Sequence, residues 1–142
     1  MIPLEEALAA FPVAQSYRPG DSSALNAEII GLIRSGAKTV SCEAWSVFDH
    51  GLESFPEAGR VDIVLNWDGT AACATETVKV DKVRFCDVTA EMVPPQVEFK
   101  DLEHWRAGYE SYLTRTGRFH QNAPMMVETF RLVRDFGDHK DV

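Results

Sequence analysis

The sequence predicts an α+β domain built around a small, strongly curled sheet of mainly antiparallel strands, with helices packed against it. Three observations carry this. Helix-period and strand-period segments are joined by short turns, so consecutive strands pair as hairpins. The strand–helix–strand rhythm of a parallel sheet is missing, and so is a glycine-rich phosphate loop. At 142 residues, with 45% hydrophobic and 25% charged residues, the chain suits one core.

The elements follow in order. PLEEALAAF reads as a short helix opened by Pro3, and Pro12 with YRPGD (17–21) breaks the chain. Asp21 and Ser22 are side-chain caps for a helix carrying Leu25, Ile29, Leu32 and Ile33 on one face; Gly36 fits its left-handed end. TVSCEAW alternates as a strand. FPEAGR (55–60) is a loop, and RVDIVLNW a strand that turns at Asp68-Gly69. The next strand runs long, over about 70–85, and the broken phase of Val78, Val80 and Val83 predicts a bulge near Asp81. DVTAEMVPP is a turn. DLEHWRAGYESYLTRTG is the clearest helix, with Leu102, Trp105, Tyr109, Tyr112 and Leu113 on one stripe and Gly117 at its end. MMVETFRLVRDF is a two-faced strand. The organisation is an N-terminal helix and linker over 1–21, a main domain over 22–136 and a tail over 137–142.

Charge and composition narrow the partners. The net charge of −8, with no lysine/arginine cluster, disfavours duplex DNA and other long nucleic acid held through many phosphates. A nucleoside, a nucleotide or a short single strand needs only one or two cations. No apolar run is long enough for a membrane span, and the acidic start MIPLEEALAAF reads as mature protein. Three cysteines without pair spacing fit a reducing, cytoplasmic setting. His50, His104, His120 and His139 share no ligand spacing with each other or with the cysteines, so neither metal nor cofactor is expected.

The candidate chemistry starts at SGAKTVSCEAW (35–45). Lys38 follows a helix exit and Ser41 lies at the head of a strand. On a regular strand their odd spacing would set them on opposite faces, but a turn at Lys38 lets both converge. A half-buried lysine loses its proton more easily and can activate a hydroxyl; a snorkelling lysine and a serine bonded to its neighbouring strand are the plainer alternative. Glu76, in the middle of a central strand, needs a cation, and Lys38 is a candidate. Glu128 poses the same problem; Arg131, Lys38 or solvent would each answer it. Trp45 is the better base-stacking tryptophan, whereas Trp105 lies on a helix stripe of the kind that usually packs.

Taken in order, the G-x-K-T-x-T/S turn at 36–41, the Asp68-Gly69 hairpin leading into T-E-T-x-x-V, the W-R-x-x-H/Y helix and the E-x-F-x-L/V-V strand resemble the ASCH domain family, over roughly residues 22–134. The resemblance implies a PUA-like fold, a small β-barrel with flanking helices, and a nucleotide or RNA ligand. Some small members remove the acetyl group from acetylated cytidine using a lysine, a threonine three residues later and a glutamate on a following strand. Lys38, Ser41 and Glu76 match those positions, with serine in place of threonine. The implied function is deacylation of a modified nucleoside through these three. The alternatives are a non-catalytic module for single-stranded RNA or a nucleotide, or a ribonuclease. Trp45, Thr39, Tyr17, Trp105 and Glu128 are the expected substrate contacts. Relatives carry an acidic E-G-E-G-D stretch before the W-R helix; here MVPPQVEFKD (92–101) replaces it, keeping only Glu98 and Asp101 acidic.

Overall fold

Helix ends lie where their capping chemistry is strongest. In the computed structural model, which describes residues 1–49 and 54–137, helix α2 spans Ser23–Arg34, and the Ser22 hydroxyl accepts from the Leu25 amide at 3.2 Å. Gly36 leaves the helix at φ 82°, a conformation that costs a side chain and not a glycine. Helix α4, Leu102–Arg115, is capped by Asp101, whose carboxylate accepts from the His104 amide at 2.8 Å. Helix α1 covers Leu4–Ala10, with Pro3 extended just outside the first turn, and α3 is a short helix over Trp45–Asp49.

The strands are β1 (Gln15–Tyr17), β2 (Val40–Ala44), β3 (Val61–Leu65), β4 (Ala71–Arg84) and β5 (Pro124–Asp135). They form one sheet in the order β1-β3-β4-β5-β2. Every pairing is antiparallel except β1 with β3. The sheet curls into a half-barrel with β1 and β2 as its two edges.

The Asp68-Gly69 turn forms as the sequence predicts: Gly69 has φ 88°, and the Asn66 amide donates to Thr70 O at 2.8 Å. The bulge does not fall near Asp81. Along β4–β5 the register shifts between Ala74 and Thr75 and between Thr77 and Lys79, which leaves Val78 unpaired and 47% exposed. The buried first half of β4 passes to a solvated second half at this point, and the extra residue adds the twist that curls the sheet. Strand β1 arises in the segment read as linker. Its three residues are all exposed, so no hydrophobic alternation marks it.

Three apolar clusters hold the layers together. Ile30 and Ile33 of α2 pack on Val64, Ala72, Cys73 and Phe130. Ala7 of α1 covers Ile63, Ala71 and Ala74. Trp105 and Leu113 of α4 pack with Phe85, Val88 and Met125. Trp105 stacks on Phe85, ring centroids 5.5 Å apart, and is fully buried. At about 25 cal/mol per Å² of apolar area, this aromatic is among the larger single contributions to the core.

Candidate functional site

Because the half-barrel does not close, its two edge strands flank a cleft of about 470 Å³. Gln15, Ser16 and Tyr17 line it from β1, and Ser41, Cys42 and Glu43 from β2. Its floor is the sheet itself: Asp62 of β3, Thr75 of β4, and Glu128 and Phe130 of β5. Arg60 leans in from the head of β3, where its guanidinium is paired with Asp62. Nε and Nη2 donate to Asp62 Oδ2 at 3.2 and 3.1 Å, and Nη1 donates to Ser54 O at 3.1 Å.

Of the three carboxyl groups in this lining, that of Glu43 accepts from the Tyr112 hydroxyl at 3.0 Å and the Ala44 amide at 2.8 Å, and those of Asp62 and Glu128 belong to the floor. Burial pushes the Asp62 carboxyl above its ordinary range, opposed by the Arg60 charge and its hydrogen bonds. Burial also pushes Glu128 up. The Thr77 hydroxyl, which donates to Glu128 Oε2 at 2.6 Å, pulls it back, while Asp62 adds repulsion. Ser41 faces Glu128 directly in the β2–β5 register. Tyr17 is 41% exposed and lines the cleft. There burial first, and then the Asp62 and Glu128 charges, hold the hydroxyl firmly protonated.

Lys38 occupies a different place. It is buried, and its ammonium donates to Val40 O at 3.1 Å and Gln96 O at 3.0 Å and forms an ion pair with Glu98 Oε1 at 3.1 Å. An ammonium has three protons, and these three acceptors use them. The Thr39 amide donates to Pro95 O at 2.9 Å, so the head of β2 and the 92–98 turns are stitched together. Gln96 is held in turn: its side-chain amide donates to Met92 O at 2.8 Å and its Oε1 accepts from Trp105 Nε1 at 3.0 Å. Between these anchors Val97 is forced to φ 64°. The neighbouring Cys42 thiol is pushed up to about 12, chiefly by burial, against the opposing field of Lys38.

The predicted residues thus separate into groups. Ser41, Tyr17 and Glu128 share the cleft. Lys38 and Thr39 belong to the clamp on the 92–98 turns. Glu76 joins neither. It accepts a hydrogen bond from Nε of Arg131 at 2.9 Å and pairs with Nη2 of the same guanidinium at 2.7 Å, Arg131 being its direct register partner on β5. Its cation is Arg131, not Lys38, because alternation along β4 turns Thr75 and Thr77 toward the cleft and Glu76 to the opposite face. Glu128 pairs with neither Arg131 nor Lys38 but takes its bond from Thr77.

Trp105 is not a stacking surface. It is wholly enclosed in the core, with its indole N–H bonded to Gln96. Trp45 packs edge-on against Phe55 at 4.7 Å, with the Lys82 ammonium 4.5 Å from its ring centroid, outside the cleft lining. His50 and His139 lie outside the described residues.

Sequence reasoning missed Arg60 and Asp62, an i,i+2 pair that opens β3, and it missed Glu98 as the partner of Lys38. A charged residue in a buried strand, the signal that drew attention to Glu76, was equally present at Asp62 in RVDIVLNW. Glu98 follows a three-residue 3₁₀ turn, a geometry that no spacing rule announces. Among the described residues no cluster of three or more His, Cys, Asp or Glu side chains is arranged to hold a metal, and no helix is long and apolar enough to cross a membrane.

Comparison with known proteins agrees with this architecture. The ASCH domain model matches residues 15–134, starting at β1. An ASCH domain structure from Lactobacillus crispatus JV V101 is similar with a TM-score of 0.77 at 21% identity, covering 91% of this chain and 85% of that one. Protein EF3133 from Enterococcus faecalis V583, of the family DUF984, gives 0.76 at 19% identity, covering 96% and 93%. At such identities the likeness carries the fold alone, and that fold is the one the sequence resemblance implies. No curated protein matches.

Proposed function

The chain belongs to the ASCH domain family, and we propose that its cleft binds the uncharged end of a nucleoside or of a short single-stranded RNA, leaving phosphates outside. One observation carries this reading. The cleft's guanidinium, Arg60, is paired with Asp62 and bonded to Ser54, while the carboxyls of Asp62 and Glu128 stand beside aromatic rings. A phosphate entering there meets the two carboxyls and a guanidinium whose charge Asp62 already balances. A base meets the rings of Tyr17 and Phe48 and several hydrogen-bonding groups, the pattern by which unpaired bases are recognised.

Calorimetry with a nucleoside, its 5′-monophosphate and a short oligonucleotide tests the reading. It expects comparable affinities for the three and a nearly flat salt dependence. A log–log salt slope corresponding to several phosphates, at about 0.7 per phosphate for a single strand, contradicts it.

A second reading, hydrolysis of an acylated nucleoside, is favoured by the Lys38–Glu98 ion pair at the head of the strand that bears Ser41. Water would add across the amide, releasing the carboxylic acid and the free base amine, with Glu98 in the part the sequence assigned to Glu76. Acetylated cytidine should then yield cytidine; Lys38→Met and Glu98→Gln should lose the activity, and Glu76→Gln should keep it. Release of nothing by the wild-type protein removes this reading and leaves the first intact.

A further inference from the structure

The acceptor capacity of the cleft is only half used. Arg60 donates twice to Oδ2 of Asp62, and Thr77 donates to Oε2 of Glu128. The second oxygen of each carboxyl, Asp62 Oδ1 and Glu128 Oε1, takes no hydrogen bond from a described residue. Neither is sealed away from water, since no buried side-chain oxygen among the described residues lacks a partner, and both residues line the cleft. Around them the lining groups that can donate are the hydroxyls of Ser41, opposite Glu128 in register, and Thr75, opposite Asp62, and the side-chain amide of Gln15, across from Asp62 on β1.

At these two points the cleft offers carboxyl oxygens, which a ligand satisfies by bringing N–H donors there. We propose that Asp62 Oδ1 and Glu128 Oε1 accept from an exocyclic amine, so that the cleft prefers amino-bearing bases (adenine, cytosine, guanine) to those with no exocyclic amine (uracil, hypoxanthine). The inference rests on the nucleoside reading of the cleft and adds its selectivity. An oxo group in the place of the amine sets its lone pairs against the two carboxyl oxygens and can donate to neither. Sites built around a hydrogen bond discriminate strongly against an analogue that lacks the matching group. Glutamine at 128 keeps the shape and an oxygen for Thr77, and it turns an NH₂ toward the ligand. Such a side chain donates to an oxo group and no longer accepts from an amine.

The experiment measures affinities by calorimetry for two pairs that differ at the amine position, adenosine against inosine and cytidine against uridine, on wild-type protein and on Glu128→Gln. Wild type is expected to favour the amino member of each pair by about tenfold or more, the scale of one hydrogen bond to a charged acceptor. In Glu128→Gln the ratio is expected to fall to about one or to invert. Equal binding of both members by wild type overturns the selectivity and leaves the nucleoside reading standing. A preference that persists in Glu128→Gln overturns the assignment to Glu128. Failure of every nucleoside to bind overturns both readings. Should Glu128→Gln not fold, as judged by its melting transition, the wild-type pairs alone decide.

Discussion

Replacing Lys38 by methionine removes an ammonium and keeps most of its apolar stem. Three acceptors lose their donor: Val40 O, Gln96 O and the Glu98 carboxylate. Hydrogen bonds to charged groups contribute about 1.5–3 kcal/mol each, but the terms do not add. Glu98 is 38% exposed and regains water, so its share is discounted to the level of a surface pair. The two carbonyls lie in the buried clamp and regain little. The expected loss is therefore about 3 kcal/mol, with a fall in melting temperature of roughly 10 °C for a chain of this length. Urea unfolding followed by tryptophan fluorescence measures it, with an unchanged m-value as the check that the denatured state is the same. Glu76→Gln, at the exposed Arg131 pair, should cost less than about 1 kcal/mol in the same assay. The reasoning fails if Lys38→Met is as stable as wild type or more so, as happens when an apolar side chain replaces a poorly compensated buried charge. It also fails if Glu76→Gln is the more damaging of the two.

Further consequences of the geometry are accessible to similar measurements. Val97→Gly should stabilise the protein by about 0.5–1 kcal/mol, since a β-branched residue at φ 64° carries strain that exceeds glycine's entropic cost; a lower urea midpoint would refute this. Trp105→Phe should cost about 2–4 kcal/mol, from lost volume and from a buried Gln96 oxygen left without its indole donor; a change within error of zero would place Trp105 outside the core. The folded-state value of Glu128 is raised above its ordinary 4.5, so its contribution to stability is full below that pH and declines as pH rises through the raised value. Glu128→Gln should abolish that decline and gain stability relative to wild type at neutral pH; parallel stability–pH curves for the two proteins would contradict it.

The fold was legible where local chemistry and periodicity agree. Ser22 and Asp101 cap helices whose apolar stripes point inward, and Asp68-Gly69 closes the hairpin that its flanking strands require. Strand β1 was not legible, because an exposed three-residue edge strand carries no alternation. The bulge was misplaced because its signal, the broken phase of Val78, Val80 and Val83, spans six residues, while register is settled by packing against β5. For the site, periodicity alone separates Thr75 and Thr77 from Glu76, and applying it to TETV would have placed Glu76 on the far face. What no local pattern held was the long-range part: Glu98 reaching Lys38 across 60 positions of sequence, and two sheet edges meeting around a cleft. Such contacts follow from the curl of the whole sheet.

The central claim is that the seam between β1 and β2 is the ligand site. Titrating adenosine into isotope-labelled protein and following amide shifts tests it most directly. The account predicts saturable shifts gathered on Tyr17, Ser41, Asp62, Thr75 and Glu128. Shifts gathered instead around the basic side chains on the opposite face of β4 and β5, or none at saturating nucleoside, would contradict it.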